Sequence, residues 1–191
     1  IAVVVSRRIS AVGAKLAYNA GSIIGKNGFN LVNGLALGCD AEALKGALAA
    51  GGKCAVVLPC GINEIYPKSN QWIAEKVLKQ GGCLISEYPE GTRPEKYRFV
   101  QRDRLQSGMS QGVLVVEAME KSGTMHTAEY AKKQNRRLAC YYHGLLKYST
   151  GNNVLENLYQ AAVIKTNEDL ENYLCEIADI EEYTQLSFDF V

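Results

Sequence analysis

The sequence predicts a doubly wound α/β fold whose mostly parallel sheet carries helices on both faces. Three observations support this: short β-branched runs alternate with longer helical patterns, several runs are uninterruptedly apolar, and glycines stand where helices stop. An apolar strand at 2–5 leads into a helical pattern at 10–26 that ends before Gly28. The second strand, at 30–33, runs into a glycine-containing turn and a helix at 40–50, closed by Gly51 and Gly52. A third strand at 53–58 contains Ala55-Val56-Val57-Leu58, as expected of a strand buried on both faces. A helix at 70–79 stops at Gly81 and Gly82, and a strand at 83–87 follows. The stretch 88–98, with Pro89, Gly91 and Pro94, is long enough to be a functional loop. Beyond it come a helix at 100–109, an apolar strand at 112–117, a helix at 123–134, a strand at 137–142, a helix at 153–159 and a strand at 162–164. Residues 1–165 thus form one domain. Residues 166–191 are expected to add an acidic helix at 167–177 and a tail, outside the core.

Of the 191 residues, 47% are apolar and 21% charged, ordinary globular values that exclude a disordered, collagenous or disulfide-scaffold chain. No apolar run nears the ~20 residues of a membrane span, so a soluble protein is expected. The sequence opens on Ile1 inside a strand-like run, which points to a preceding segment. The formal net charge of +1 conceals an asymmetry. Residues 166–191 hold eight acids and no Lys or Arg, leaving 12 acids against all 21 bases in residues 1–165, a net of +9. A basic body with an acidic end suits a protein that meets polyanions.

Six cysteines form no C-x-x-C pair, and the two histidines, His126 and His143, lack metal-ligand spacing. The expectation is a reduced, cytoplasmic protein with no metal and no cofactor. Cys54, Cys83 and Cys140 fall in strand-like runs as small hydrophobes; Cys39 precedes a helix whose positive end can lower its pKa, but with no His or acid at triad spacing it is read as structural.

Three segments bear on function. In the first, at 33–40, Gly34 and Gly38 allow a phosphate close to backbone amides at a helix N-terminus, and Asp40 can cap that helix. The plainer reading is two turn glycines and a cap. The second, at 117–128, again joins a strand to a helix, and Ser122, Gly123, Thr124 and Thr127 place small residues and hydroxyls beside free N–H groups. His126, with no evident partner for catalysis, is taken as a surface or packing residue. The third, at 93–104, carries Arg93, Lys96, Arg98, Arg102 and Arg104 with Tyr97 and Phe99 interleaved, a composition that suits phosphates and unpaired bases but equally an exposed basic junction. Two apart on a helix, Arg102 and Arg104 diverge by about 200° and cannot share one contact.

The order of the motifs resembles the DNA-processing protein A (Smf) family over roughly residues 1–165. Val5-Ser6-Arg7 and 10–13 are similar to its G-S-R and S-x-x-G. The stretch 33–48 is similar to S-G-L-A-x-G-I-D-x-x-A-H-x-G-A-L, and 55–67 to I-A-V-L-x-x-G-L-D-x-x-Y-P. Ser86-Glu87-Tyr88-Pro89 matches S-E-Y-P, and 99–110 follows F-P-x-R-N-R-I-I-S-G-L-S. Val115-Val116-Glu117-Ala118 matches V-V-E-A, Ser122-Gly123 and Thr127-Ala128 follow S-G-S and T-A, and Gly151-Asn152-Asn153 resembles the closing G-S-N. The resemblance implies a Rossmann-like domain that binds single-stranded DNA in a basic pocket, forms homodimers and delivers DNA to a RecA-type recombinase in natural transformation. By position it implies DNA contacts at Arg7, Arg102, Arg104 and the two glycine-containing loops, with Arg98 in the same basic stretch and no catalytic residue. The chain departs from the pattern at Val5, Leu44, Val100, Asp103 and His143, where the family carries Gly, His, Pro, Asn and the Pro of V-P-G; these changes point to a weakened or retargeted site.

Two alternatives stand beside this. One is a nucleotide sensor that uses the same two loops without turnover. The other resembles the cytokinin-activating phosphoribohydrolase group, whose P-G-G-x-G-T-x-x-E carboxylate is Thr127 here. Glu129 lies about 200° round the helix, so Glu117 would have to be recruited.

Overall fold

The computed structural model describes residues 1–4 and 9–184, with side chains through Asp179. Seven strands form one sheet: β1 (Ala2–Val4), β2 (Leu31–Asn33), β3 (Cys54–Val57), β4 (Cys83–Ile85), β5 (Gly112–Val115), β6 (Arg137–Tyr141) and β7 (Ala162–Ile164). Their order is β4-β3-β2-β1-β5-β6-β7, and every neighbouring pair is parallel. The chain winds outward from β1 in one direction, then returns to build the other half from β5. The expected doubly wound architecture is therefore present, with β2 and β7 ending where expected and β3 to β6 one or two residues earlier.

Alternation along the strands feeds two cores. Val3, Leu31, Leu114 and Tyr141 face α1 (Ala11–Lys26), α2 (Cys39–Ala49), α3 (Gln71–Lys79) and α7 (Asn167–Thr184). Ala2, Val4, Val113 and Val115 face α4 (Lys96–Gly108), α5 (Gly123–Lys133) and α6 (Thr150–Tyr159). Helix α4 starts four residues earlier than expected, so Lys96 and Arg98 are helical.

The acidic helix does not stay outside the core. Leu170, Tyr173, Leu174 and Ile177 form an i, i+3, i+4, i+7 stripe that is buried with the first core. The Tyr173 hydroxyl donates to Arg137 O at 2.9 Å. The acids that dominate the segment's composition hid a helix with one apolar face. Among the described residues no helix is long and apolar enough to cross a membrane.

The cysteines also sort by position in the sheet. Cys54 and Cys140 are buried in central strands, where burial pushes each thiol up to about 12. Cys83 is exposed because β4 is an edge strand, contrary to the expectation from its apolar surroundings. Cys39 is fully buried, so desolvation, reinforced by Asp40, raises its pKa and overrides the helix end. A chromogenic disulfide reagent is therefore expected to titrate Cys83 and Cys175 rapidly in the native protein. Cys39, Cys54, Cys60 and Cys140 should react only on unfolding, and simultaneous reaction of all six would overturn this packing.

Candidate nucleic-acid interface

Between β1 and β5 the sheet changes direction, and the carboxyl ends of strands open into a crevice at such a point. A cleft of about 350 Å³ lies there. Val4 at the end of β1, Asp40 in the first turn of α2, the α5 N-terminus and one side of α4 line it. Among the expected site residues, Asp40, Arg102, Gly123, Thr124 and Thr127 meet on this cleft.

The first loop is closed on itself. Asp40 Oδ2 accepts from the N–H groups of Gly34 (3.1 Å) and Ala36 (3.2 Å), so it ties the loop rather than capping α2, whose N-cap is Gly38 with φ 83°. Asn33 Oδ1 accepts from Leu35 N–H, and Asn70 Nδ2 donates to Leu35 O at 2.9 Å. These bonds hold buried Leu35 at φ 58°, a backbone state that non-glycine residues adopt only when the surroundings dictate it. The close approach at Gly34 serves this chain's own arginine: a Cβ there would lie 1.4 Å from Arg102 Nη1.

Arg102 and Arg104 part as the helical angle requires. Arg102 is 4% exposed, donates from Nη1 to Val57 O at 3.0 Å, and brings Nε within 3.4 Å of Asp103 Oδ1. It is a cation of the cleft wall, not of the open surface. Arg104 is exposed and donates to Glu87 Oε1. Arg98 pairs with Glu95 at 3.0 Å and lies over the rings of Tyr88 (5.1 Å) and Tyr97 (5.3 Å). Lys96 and Phe99 reach the cleft from the same helix, and exposed Tyr66 meets Phe99 edge-on with centroids 5.6 Å apart. Arg7 and Val5 lie outside the described residues.

The second loop supplies buried hydroxyls. Ser122 is the N-cap of α5, yet its Oγ and Thr124 Oγ1 are both buried without a hydrogen-bond partner. Thr124 and Thr127 are 5% and 2% exposed.

Two residues known from motifs alone turn out to be clamps. Glu117 is fully buried; its Oε2 accepts from Ser10 N–H at 2.7 Å and its Oε1 from Lys147 N–H (3.1 Å) and Tyr148 N–H (2.8 Å). Asn152 accepts from Ala118 N–H and donates to Val116 O and Tyr141 O. Their motifs marked the positions, but a short motif says nothing about partners 11 to 107 residues away.

A doubly wound α/β domain with a polar cleft at its switch point, flanked by a cationic and aromatic helix, places the chain among proteins of Rossmann-like fold. The chain belongs to the DNA recombination-mediator protein A family, whose model matches residues 1–174. It is 40% identical over 138 residues to protein Smf of Escherichia coli, covering 72% of this chain and 37% of that protein. To DNA processing protein DprA of Bacillus subtilis it is 36% identical over 138 residues, covering 72% and 46%. The chain therefore spans less than half the length of these relatives. A solved structure of DNA processing protein A from Helicobacter pylori, described for its single-stranded DNA binding mode, superposes with a TM-score of 0.82 at 29% identity, covering 94% of this chain and 80% of that one. The molybdenum cofactor carrier protein of Chlamydomonas reinhardtii shares the fold, with a TM-score of 0.65 at 17% identity over 93% and 96% of the two chains. The family and the Rossmann-like fold read from the motifs hold.

Proposed function

We propose that this chain binds single-stranded DNA along α4 and into the cleft at the switch point. The observation that carries this reading is one helix, α4, presenting Lys96 and Phe99 to the cleft and Arg98 and Arg104 alongside it. Cations of this kind neutralise phosphates, and aromatic faces stack on unpaired bases whatever their sequence. The structural likeness to the Helicobacter pylori protein supports the same reading. Homodimerisation and hand-over of the strand to a RecA-type recombinase belong to the proposal as the downstream steps.

Anisotropy of labelled oligothymidylate against a duplex of equal length tests it. Strand-selective binding that weakens steeply with salt is expected, and no binding at low salt would overturn it. Lys96→Ala and Arg104→Ala should each flatten the log-log salt slope by about one. Arg102→Ala should instead lower stability by about 2 kcal/mol, because it removes a buried, charged donor.

A nucleotide sensor is the second reading, favoured by the unpartnered hydroxyls of Ser122 and Thr124 at the α5 N-terminus. Thermal stabilisation by nucleotides, without strand binding, would select it. Hydrolysis finds less support: Glu117 spends both oxygens on backbone amides, and Glu129 is exposed 4.0 Å from His126. The chain acts on this reading by binding, without turnover.

A further inference from the structure

Resting on the DNA-binding reading, we infer that the strand meets a second stacking platform outside the cleft. The indole of Trp72 on α3, flanked by Lys45, Lys68 and Lys76, takes a base of the strand where it leaves the cleft. Trp72 is the chain's only tryptophan, and it is spent on open surface. Ile73, Ala74 and Val77 turn one face of α3 into the first core, which leaves Trp72 on the other face, 50% exposed. An exposed indole is a large flat surface that any unpaired base can cover.

The charge around it selects the occupant. Lys76 follows Trp72 by one turn of α3, and Lys68 is exposed in the short 3₁₀ turn that leads into the helix. Lys45 of α2 sets its Nζ 5.8 Å from the centre of the indole ring. Two acids stand nearby and both are engaged: Glu42 accepts from Lys45 Nζ at 2.7 Å, and Glu75 from Gln71 Nε2 at 2.9 Å. Lysine is depleted in protein–protein interfaces, whereas it is a standard partner of phosphate. An aromatic face among lysines therefore suits a nucleic acid more than a protein. A duplex keeps its base faces stacked inside, so the strand that uses this platform is single.

Two links tie the platform to the cleft. Phe99 lines the cleft and meets Tyr66 edge-on at 5.6 Å, and Tyr66 is exposed on the connection that runs from β3 into α3. Ala36 also lines the cleft, and its carbonyl accepts from Asn70 Nδ2 at 3.3 Å, two residues before Trp72. Helix α3 moreover starts at the carboxyl edge of the parallel sheet, the edge on which the cleft opens. A strand that leaves the cleft over Phe99 and Tyr66 arrives at Trp72 with lysines on either side for its phosphates.

The test follows Trp72 emission and the anisotropy of labelled oligothymidylates of about 6 and about 16 nucleotides, within the usual span of single-strand site sizes. The longer strand is expected to quench the emission and the shorter one to leave it unchanged. Trp72→Ala should weaken binding of the longer strand about tenfold, as loss of one stacked base does, and leave the shorter within about twofold. Trp72→Phe should recover most of the loss. Trp72 lies outside the core, so the variants are expected to fold, and circular dichroism checks that they do. Equal affinity of wild type and Trp72→Ala for the longer strand would overturn the inference and leave the DNA reading standing. Binding of neither strand by the wild-type protein would overturn both. Emission that responds to protein concentration and not to the strand would give Trp72 to a second copy of this chain, and would overturn the inference as well.

Discussion

Gly46→Ala is expected to lower stability by about 3 kcal/mol, the upper end of what one added methyl does in a packed core. Helices α1 and α2 cross with their backbones in contact. A Cβ on Gly46 would lie 1.9 Å from Tyr18 O and 2.8 Å from Tyr18 C. The contact is reciprocal, since a Cβ on Gly21 would lie 1.9 Å from Ala43 O. Neither neighbour is a side chain that can swing away, so the helices must separate. Both are pinned to the sheet by Ala17, Ala20 and Ile24 on α1 and by Leu44 and Leu48 on α2. Alanine's better helix propensity returns at most about 1 kcal/mol. Urea unfolding followed by circular dichroism should show the midpoint falling for Gly46→Ala and Gly21→Ala alike. Gly123→Ala, whose Cβ would meet nothing within 4 Å, serves as the control for stability. A Gly46→Ala protein as stable as wild type would refute this crossing.

The second large effect is expected at Glu117. Its truncation to Ala leaves three backbone N–H groups, of Ser10, Lys147 and Tyr148, without their acceptor. Bonds to a charged acceptor contribute about 1.5–3 kcal/mol each, and stranded donors add a desolvation cost, so a loss of about 4 kcal/mol is expected. Glu117→Gln restores part of this at most, because its NH2 end cannot accept. The amides of Ser10 and Tyr148 should lose protection from hydrogen exchange together, a readout that a generally loosened core would not single out. Gly13 belongs to the same clamp: a Cβ there would lie 2.3 Å from Glu117 Oε2. Gly13→Ala and Glu117→Gln should therefore combine non-additively. Full additivity, or unchanged exchange at Ser10, would remove Glu117 from this role.

Much of the candidate site was legible before any coordinates. The glycine-containing loops at 33–40 and 117–128 do follow parallel strands, and their residues meet on one cleft. The divergence of Arg102 from Arg104 followed from the helical angle alone. What failed to read was the use of each group. Asp40 resembled a helix cap because caps are local, yet its carboxylate turns back to Gly34 and Ala36. The helix end before Cys39 was a local signal too, yet burial dominates its pKa, in keeping with the structural reading.

Taken by itself, the sequence determined the alternation of strands and helices, the two strand-to-helix loops, the basic stretch and the family. All of these are encoded in neighbours a few residues apart, where periodicity, glycine and short motifs act. Only the tertiary structure decided that Arg102 is a cleft-wall cation held against Val57 O, that Glu117 and Asn152 are clamps, and that α7 docks through Leu170, Tyr173, Leu174 and Ile177. The physical reason is that burial and hydrogen-bond partnership are set by contacts between segments far apart in the chain. A charge counted in the sequence carries no mark of whether water or protein will surround it.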